Sequence, residues 1–524
     1  MSVEGVTFPR AGEKRSSVAP STSILADAVR ADSPELASRF EKVENWRRDY
    51  APLFLDLTRL EASDPEVAMR IARTGLQAAA DRMVFAAEGE DKPVAAGLDV
   101  SEPRFDTITV NGSGPRAEEL VVEYKGKRLS GDALLRQLDD WVRRGITEPS
   151  FAEAVGAVVR NPEWLDLRDR TFGVIGAASQ MGPYKQLMSW GATVAAIDLP
   201  RPGTWFSLAA TAARGAGTLL APSREADSGR IDTAGANVLA EIGPLTNWLA
   251  EVPGPLTVGN YTYADGGLFV RLSVAVDAML ARLTERRDDL SFTYLASPAD
   301  AFTVPMDAVA MAQERDAALT PAAAAGRAIR LATRGKLAKQ NYDGNILETA
   351  TGPVGLMGAI IAGQGPNYLL AKRLQRWRME VARAEGMLAS VHVAPPTRTE
   401  SVHHNAAMAH RQHVTAPLGI ETFDAEATEA LAGAILVHDL RNPLSPARPE
   451  VPLANPLDMF HFAANPGGRW RIPLDIESSL SIAEQIDVRT IQAREASEKA
   501  QVIASSAAET MGRLMRSVTK RPQR

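Results

Sequence analysis

The sequence contains no cysteine. That excludes disulfide bridges, thiolate metal ligands, iron–sulfur clusters and a cysteine nucleophile. Long apolar runs are missing too. The longest weakly polar stretch, Gly352 to Gly365, is rich in glycine and falls short of the roughly 20 residues that span a bilayer. The first seventeen residues, Met1 to Ser17, lack the apolar core of a secretory signal. There is little charge of one sign: the formal net charge is −6 over 524 residues, too small a field to favour nucleic acid or an anionic membrane. No His-Glu-x-x-His, Walker loop or Gly-x-Ser-x-Gly occurs, so metalloprotease, P-loop NTPase and α/β-hydrolase chemistry lose their usual carriers. These absences lead us to expect a globular cytoplasmic protein whose partner is a small molecule, with no nucleic acid and no membrane.

What is present suffices for a large core. Hydrophobic residues make up 45% and charged residues 23%, the balance of a folded chain. Residues 1–33 mix Ser, Pro, Ala and charge without period and read as a mobile tail. Residues 34–165 read as a mainly helical N-terminal extension. Its helices fall at 34–50, 65–86, about 130–144 and 149–160, and Asp64 and Pro65 supply the cap and first position of the second. Inside it, Phe105–Val110 and Glu118–Tyr124 read as two strands joined by Asn111-Gly112-Ser113-Gly114.

From Thr171 onward, short apolar strands alternate with helices, which predicts βαβ units and a parallel sheet. Strand candidates follow at PLTVGN, LSFTYLAS, NILETAT, LASVHVAP and, late, Met459–Ala464. Helices are expected at about 232–250, 266–286, 305–338, 366–386 and 423–437. The fold class is therefore α/β: a doubly wound parallel-sheet Rossmann domain over 166–475, with an insertion near 299–345 and a helical C-terminal extension over 476–524. The last 31 residues carry Arg494, Lys499, Arg513, Arg516, Lys520, Arg521 and Arg524, which reads as a basic, solvated helix.

The first strand of this region runs into Gly176-Ala177-Ala178-Ser179-Gln180-Met181-Gly182-Pro183, and a helix follows at once. A dinucleotide diphosphate must lie close to backbone, so small residues are needed there, and the helix start offers free N–H groups and the positive end of its dipole. Gly176 permits the tight turn and Gly182 the close approach of helix to strand. Asp198 ends the next strand, 22 residues after Gly176. Its carboxylate can accept hydrogen bonds from the adenosine ribose and favours NAD over NADP, while Arg201 three residues on can reverse that preference. Further on, Tyr368-Leu369-Leu370-Ala371-Lys372 puts a phenol and an ammonium on one helical face.

Together these segments resemble the short-chain dehydrogenase/reductase family, over about residues 170–470. Its first turn reads Gly-x-x-x-Gly-x-Gly, and Gln180 stands here where the middle glycine is expected. The resemblance implies an NAD(P)-dependent oxidoreductase interconverting a secondary alcohol and a ketone, with NAD as cofactor and NADP possible. Tyr368 would move the proton, and Lys372 would lower the phenol pKa and hold the nicotinamide ribose. A Ser or Thr should steady the substrate oxygen. Its usual place falls near Gly355, which has no hydroxyl, so Thr351 is the first choice. Ser297 is the rival if residues 299–345 are an insertion. Val258-Gly259-Asn260-Tyr261 corresponds loosely to the family's Asn-Asn-Ala-Gly, which places Asn260 at the cofactor. Thr399 matches the threonine that meets the carboxamide, with Pro396 in place of a glycine. No counterpart of the family's catalytic Asn is visible. That gap, with Gln180, keeps open a second reading: the same fold using bound dinucleotide for isomerase, hydratase or lyase chemistry, or as a sensor or scaffold.

Leu370, Leu374, Trp377 and Val381 follow Tyr368 at helical spacing and read as core. In the family this helix often meets its copy, which implies a homo-oligomer. Four of seven histidines cluster at His403, His404, His410 and His413 with no acidic residue among them, so no metal site is assigned. Asp265 reads as a helix cap.

Overall fold

The computed structural model describes residues 4–12, 14–100, 104–225, 229–361, 364–403 and 406–480. Its centre is a seven-stranded sheet of β1 (Asp106–Asn111), β2 (Thr171–Ile175), β3 (Thr193–Ile197), β4 (Thr218–Ser223), β5 (Leu256–Asn260), β6 (Leu290–Ala296) and β10 (Leu388–Val393). The spatial order is β10-β6-β5-β2-β3-β4-β1. All neighbours from β10 to β4 are parallel, and β1 lies antiparallel on the β4 edge. The first parallel strand, β2, sits in the middle, the next two lie to one side and the last three to the other. The winding therefore reverses between β2 and β5, as in a Rossmann-like sheet.

Helices cover both faces, so the strands are apolar on both sides. Phe172, Val174, Val194 and Ala196 enter one core. Their neighbours Ile175, Ala195 and Ile197 enter the other, following the two-residue period of a strand. The second core is closed by α1 (Val18–Val29), α2 (Trp46–Ser63), α3 (Pro65–Arg82), α5 (Gly267–Thr284) and α6 (Pro366–Ala384). The first is closed by α4 (Tyr184–Ser189), α7 (Ala425–Arg441) and the helices Gly131–Arg143, Pro149–Arg160 and Pro202–Arg214. The stripe Leu370, Leu374, Trp377 and Val381 is buried, as its spacing predicts.

Several expectations need correction. Residues 4–33 are not a free tail. Gly5–Thr7 pairs antiparallel with Val84–Ala87, and α1 buries Ile24, Leu25 and Val29. Serines and alanines diluted that apolar stripe in composition without removing its helical spacing. The helices of the N-terminal extension pack into the two cores that flank the sheet. Phe105–Val110 and Glu118–Tyr124 do not form a hairpin: Asp106–Asn111 pairs with β4, and Val122–Tyr124 with Lys127–Leu129. The glycines between them serve close backbone approach. A Cβ on Gly112 would lie 2.3 Å from the Gly215 carbonyl oxygen. The expected helix at 305–338 breaks into Met306–Ala317 and Pro321–Ala332, because Thr320 caps a new helix at Pro321. Met459–Ala464 is no strand; Pro456–Phe460 is a single 3₁₀ segment closed by an Asn455–Asp458 capping box. A separate sheet, ordered β7 (Ala301–Val304), β9 (Gly352–Gly358), β8 (Ile346–Thr349), starts in the expected insertion and runs past its end at 345. The basic C-terminal residues from Arg494 onward lie outside the described residues.

One buried ionic network joins these parts. Arg373 of α6 pairs with Glu61 of α2, and its guanidinium lies 3.4 Å from Asp300, just before β7. Arg376 reaches the same Asp300 at 3.2 Å and the Ala301 carbonyl at 2.7 Å. Trp377 Nε1 donates to Glu61 at 2.8 Å. Removing one member leaves an uncompensated buried charge, so Glu61→Ala should lower unfolding free energy by about 3–5 kcal/mol. Urea denaturation measures this, and an unchanged midpoint would show the network to be dispensable.

Candidate active site

The end of β2 makes the tight turn its sequence requires. Gly176 has φ +84°, a conformation that favours glycine. Its N–H and that of Ala177 donate to the Ile197 carbonyl at the end of β3. A Cβ at Gly176 would meet the backbone of Tyr261 and Thr262 at 2.8–3.0 Å. The glycine is therefore needed by the chain's own loop after β5. Asn260 and Ile175 are register partners, so these two loops leave the sheet side by side at the reversal of winding.

The Tyr261 ring occupies this crevice. Its Cγ lies 3.5 Å from where a Cβ of Gly182 would stand, and its Cε2 2.5 Å from that of Gly259. Glycine at 259 thus makes room for the ring. The helix after the turn, α4, has only six residues, and its first N–H groups are already engaged. The Lys185 N–H donates to Glu429 of α7 at 3.2 Å. Burial pushes the Glu429 carboxyl up to about 7, against the pull of Lys185 and the α4 backbone. A carboxyl of the chain itself thus stands where the diphosphate was expected.

The other turn residues are also tied down. Asp198 accepts from the Ala178 N–H at 2.9 Å and the Leu199 N–H at 2.8 Å. The Gln180 side-chain oxygen accepts the Glu400 N–H at 2.9 Å, which holds the residue after Thr399 against the turn. Ser179 and Met181 are half-buried in the same loop. Asn260 Oδ1 accepts from the N–H and hydroxyl of Thr262, while its buried Nδ2 has no partner among the described residues.

Of the two hydroxyl candidates, the structure brings Ser297 to Tyr368. Ser297 is the first residue beyond β6 and buried, and its Oγ accepts the Ala299 N–H at 3.2 Å. Ser297 and Gln364 offer hydrogen bonds that favour ionisation of the Tyr368 phenol, yet burial outweighs them and raises its pKa above the usual value. Thr351 lies elsewhere, in the exposed turn between β8 and β9. Its hydroxyl is 3.2 Å from that of Thr349, and its neighbour Ala350 bonds Ser63. The choice turned on the length of the insertion, which now places Thr351 in a separate sheet.

Lys372 departs from the arrangement implied by the resemblance. Its ammonium turns inward, donating to the Leu295 carbonyl at 3.1 Å and lying 3.4 Å from Gln375 Oε1. It sits over the rings of Tyr294 and Phe269. Burial lowers it to about 8, with Asp300 opposing. Burial keeps the Tyr368 phenol protonated well above neutral pH.

Tyr261, Gln364 and Glu429 were not anticipated from sequence. The only sign of Glu429 was a carboxylate inside an apolar helical stripe. Of the four clustered histidines, His404 lies outside the described residues. No family model and no curated protein matches the chain.

The inward Lys372 has a thermodynamic consequence. Its folded pKa of about 8 lies below the unfolded value of 10.5, so the folded state holds fewer protons between those values. Stability contributed by this group rises with pH across that window, on the order of 2 kcal/mol. Denaturation of the native chain and of Lys372→Met at pH 8 and pH 10 should show a steeper rise in the native chain. Parallel profiles would place the ammonium in water.

Proposed function

We propose that the chain is an NAD(P)-dependent oxidoreductase that reduces a ketone to a secondary alcohol on an apolar small molecule. The observation that carries this reading is the meeting of Ser297 and Tyr368 beyond the C-terminal end of β6, beside the crevice where winding reverses. Because Ser297 Oγ accepts from Ala299, its own proton is left to donate, to Tyr368 at rest and to a substrate oxygen when one is bound. A phenol with raised pKa stays protonated at neutral pH and acts as an acid. Two hydroxyl donors directed at one carbonyl oxygen stabilise the charge it gains and supply its proton. This favours reduction over alcohol oxidation, where Tyr368 would have to act as a base although burial holds its pKa high.

When bound, a reduced nicotinamide dinucleotide supplies the hydride. Gly176, Ser179, Gln180, Met181 and Gly182 would line its diphosphate and Asp198 its adenosine ribose. Thr399 and the Asn260 amide, whose Nδ2 has no partner among the described residues, would serve the nicotinamide end. Lys372 stands outside this set. The fit depends on Glu429: ionised, it repels a diphosphate, whereas protonated it can donate a hydrogen bond to a phosphate oxygen. With its carboxyl near 7, binding of the dinucleotide takes up a proton.

Calorimetric titration with NADH and NADPH should therefore give roughly tenfold tighter binding at pH 6 than at pH 8. Glu429→Gln should bind equally at both. Against a panel of ketones, Tyr368→Phe should reduce turnover by about 10²-fold or more while cofactor affinity stays unchanged. Retained turnover would remove Tyr368 from the chemistry.

Glu429 at the helix start and Tyr261 in the crevice favour a second reading. In it, the chain fills its own dinucleotide position and the fold serves as a sensor or scaffold. Folded Glu429→Gln that binds neither dinucleotide at pH 6 would select this reading over the first.

A further inference from the structure

A cleft of about 580 Å³ opens between α3, the C-terminal half of α6 and the segment 453–459, a volume typical of small-molecule sites. It lies along α6 from Tyr368, since Glu380 in its lining is 12 residues further on, about 18 Å at helical rise. Glu380 is 2% exposed, and neither of its carboxyl oxygens has a hydrogen-bond partner among the described residues. An orphaned buried carboxyl is costly and calls for an explanation.

The groups around it come from three elements. Behind it, Glu61 of α2 and Arg373 and Arg376 of α6 are engaged with one another and with Asp300. On the cleft side α3 brings Glu66, Arg70 and Arg73, and α6 brings Arg383. Arg70 is paired with Asp32 at 2.5 Å, and Arg383 is engaged with the carbonyls of Pro446 and Arg448. Arg73 is exposed and has no ion-pair partner among the described residues. Burial and the nearby Glu61 raise the Glu380 carboxyl to about 8, so at neutral pH it is an acid with its O–H unspent. With Arg70 offset by Asp32, the lining then holds Arg73 and Arg383 against Glu66, a positive balance that repels cations and attracts anions. Met69, Leu453 and Met459 supply adaptable apolar wall.

We propose that this cleft binds an amphipathic monocarboxylate, whose carboxylate pairs with Arg73 and, once the enclosed Glu380 side chain turns toward the cleft, accepts its hydroxyl proton in a hydrogen bond, while its apolar body lies along Met69, Leu453 and Met459. Such a charge-assisted hydrogen bond is among the stronger ones available to a buried acid. The site stands independently of any dinucleotide reading.

Calorimetry on the full chain with octanoate and with octylamine tests this. Octanoate should bind at pH 7 and weaken at least tenfold at pH 9, where Glu380 has lost its proton. Arg73→Ala, a surface change that leaves the core intact, should weaken it at least tenfold at pH 7. Glu380→Gln keeps a donor and cannot ionise, so it should bind octanoate equally at pH 7 and pH 9. Binding of octylamine in place of octanoate would overturn the proposal. So would millimolar octanoate giving no heat, or octanoate binding indifferent to both pH and Arg73→Ala.

Discussion

The buried pairing of Arg373 and Arg376 with Glu61 and Asp300 is the constraint on which the rest of this molecule depends. Four charges removed from water are tolerable only if each finds a partner in fixed geometry. Meeting that demand locks α2, α6 and the start of the insertion into one arrangement. The N-terminal helices are therefore part of the sheet domain. Helix α6 carries Tyr368 near one end and Glu380 near the other, with the two arginines between them. Neither candidate site could hold its geometry if that helix shifted along its axis.

The crevice at the reversal of winding illustrates how one physical feature admits two occupants. Exposed N–H groups at a helix start attract negative charge of any origin. In this chain a carboxyl on α7 reaches them, and the ring of Tyr261 lies over the turn. Gly176 and Gly259 are both explained by the chain's own close contacts. A glycine-rich turn thus reports close approach, and its sequence does not tell whether the approaching group is a ligand or the protein.

What sequence could reveal follows from the range of the forces involved. Strands β2 to β6 were legible because burial on both faces makes them continuous apolar runs. Helices α5, α6 and α7 were legible because their stripes are long. The edge pairing of β1 was not, since glycines that close a hairpin and glycines that admit a distant carbonyl look alike. Ser297 and Thr351 are both strand-end hydroxyls, and only the course of the 53 intervening residues separates them. The spacing of Tyr368 and Lys372 was read correctly as one helical face, but the direction of a four-carbon side chain is set by what surrounds it. A carbonyl, an amide and two aromatic rings draw the Lys372 ammonium inward. Glu429 was invisible because its partner is 244 residues away.

The same network also sets an order of events during synthesis. Glu61 and Arg373 are 312 residues apart. At typical elongation rates of about 5–20 residues per second, the acid emerges roughly 15–60 s before its partner exists. Throughout that interval α1, α2 and α3 have formed no lasting cover for their apolar stripes. The nascent chain must shelter them, by transient collapse or with a chaperone, until the C-terminal half of the sheet arrives.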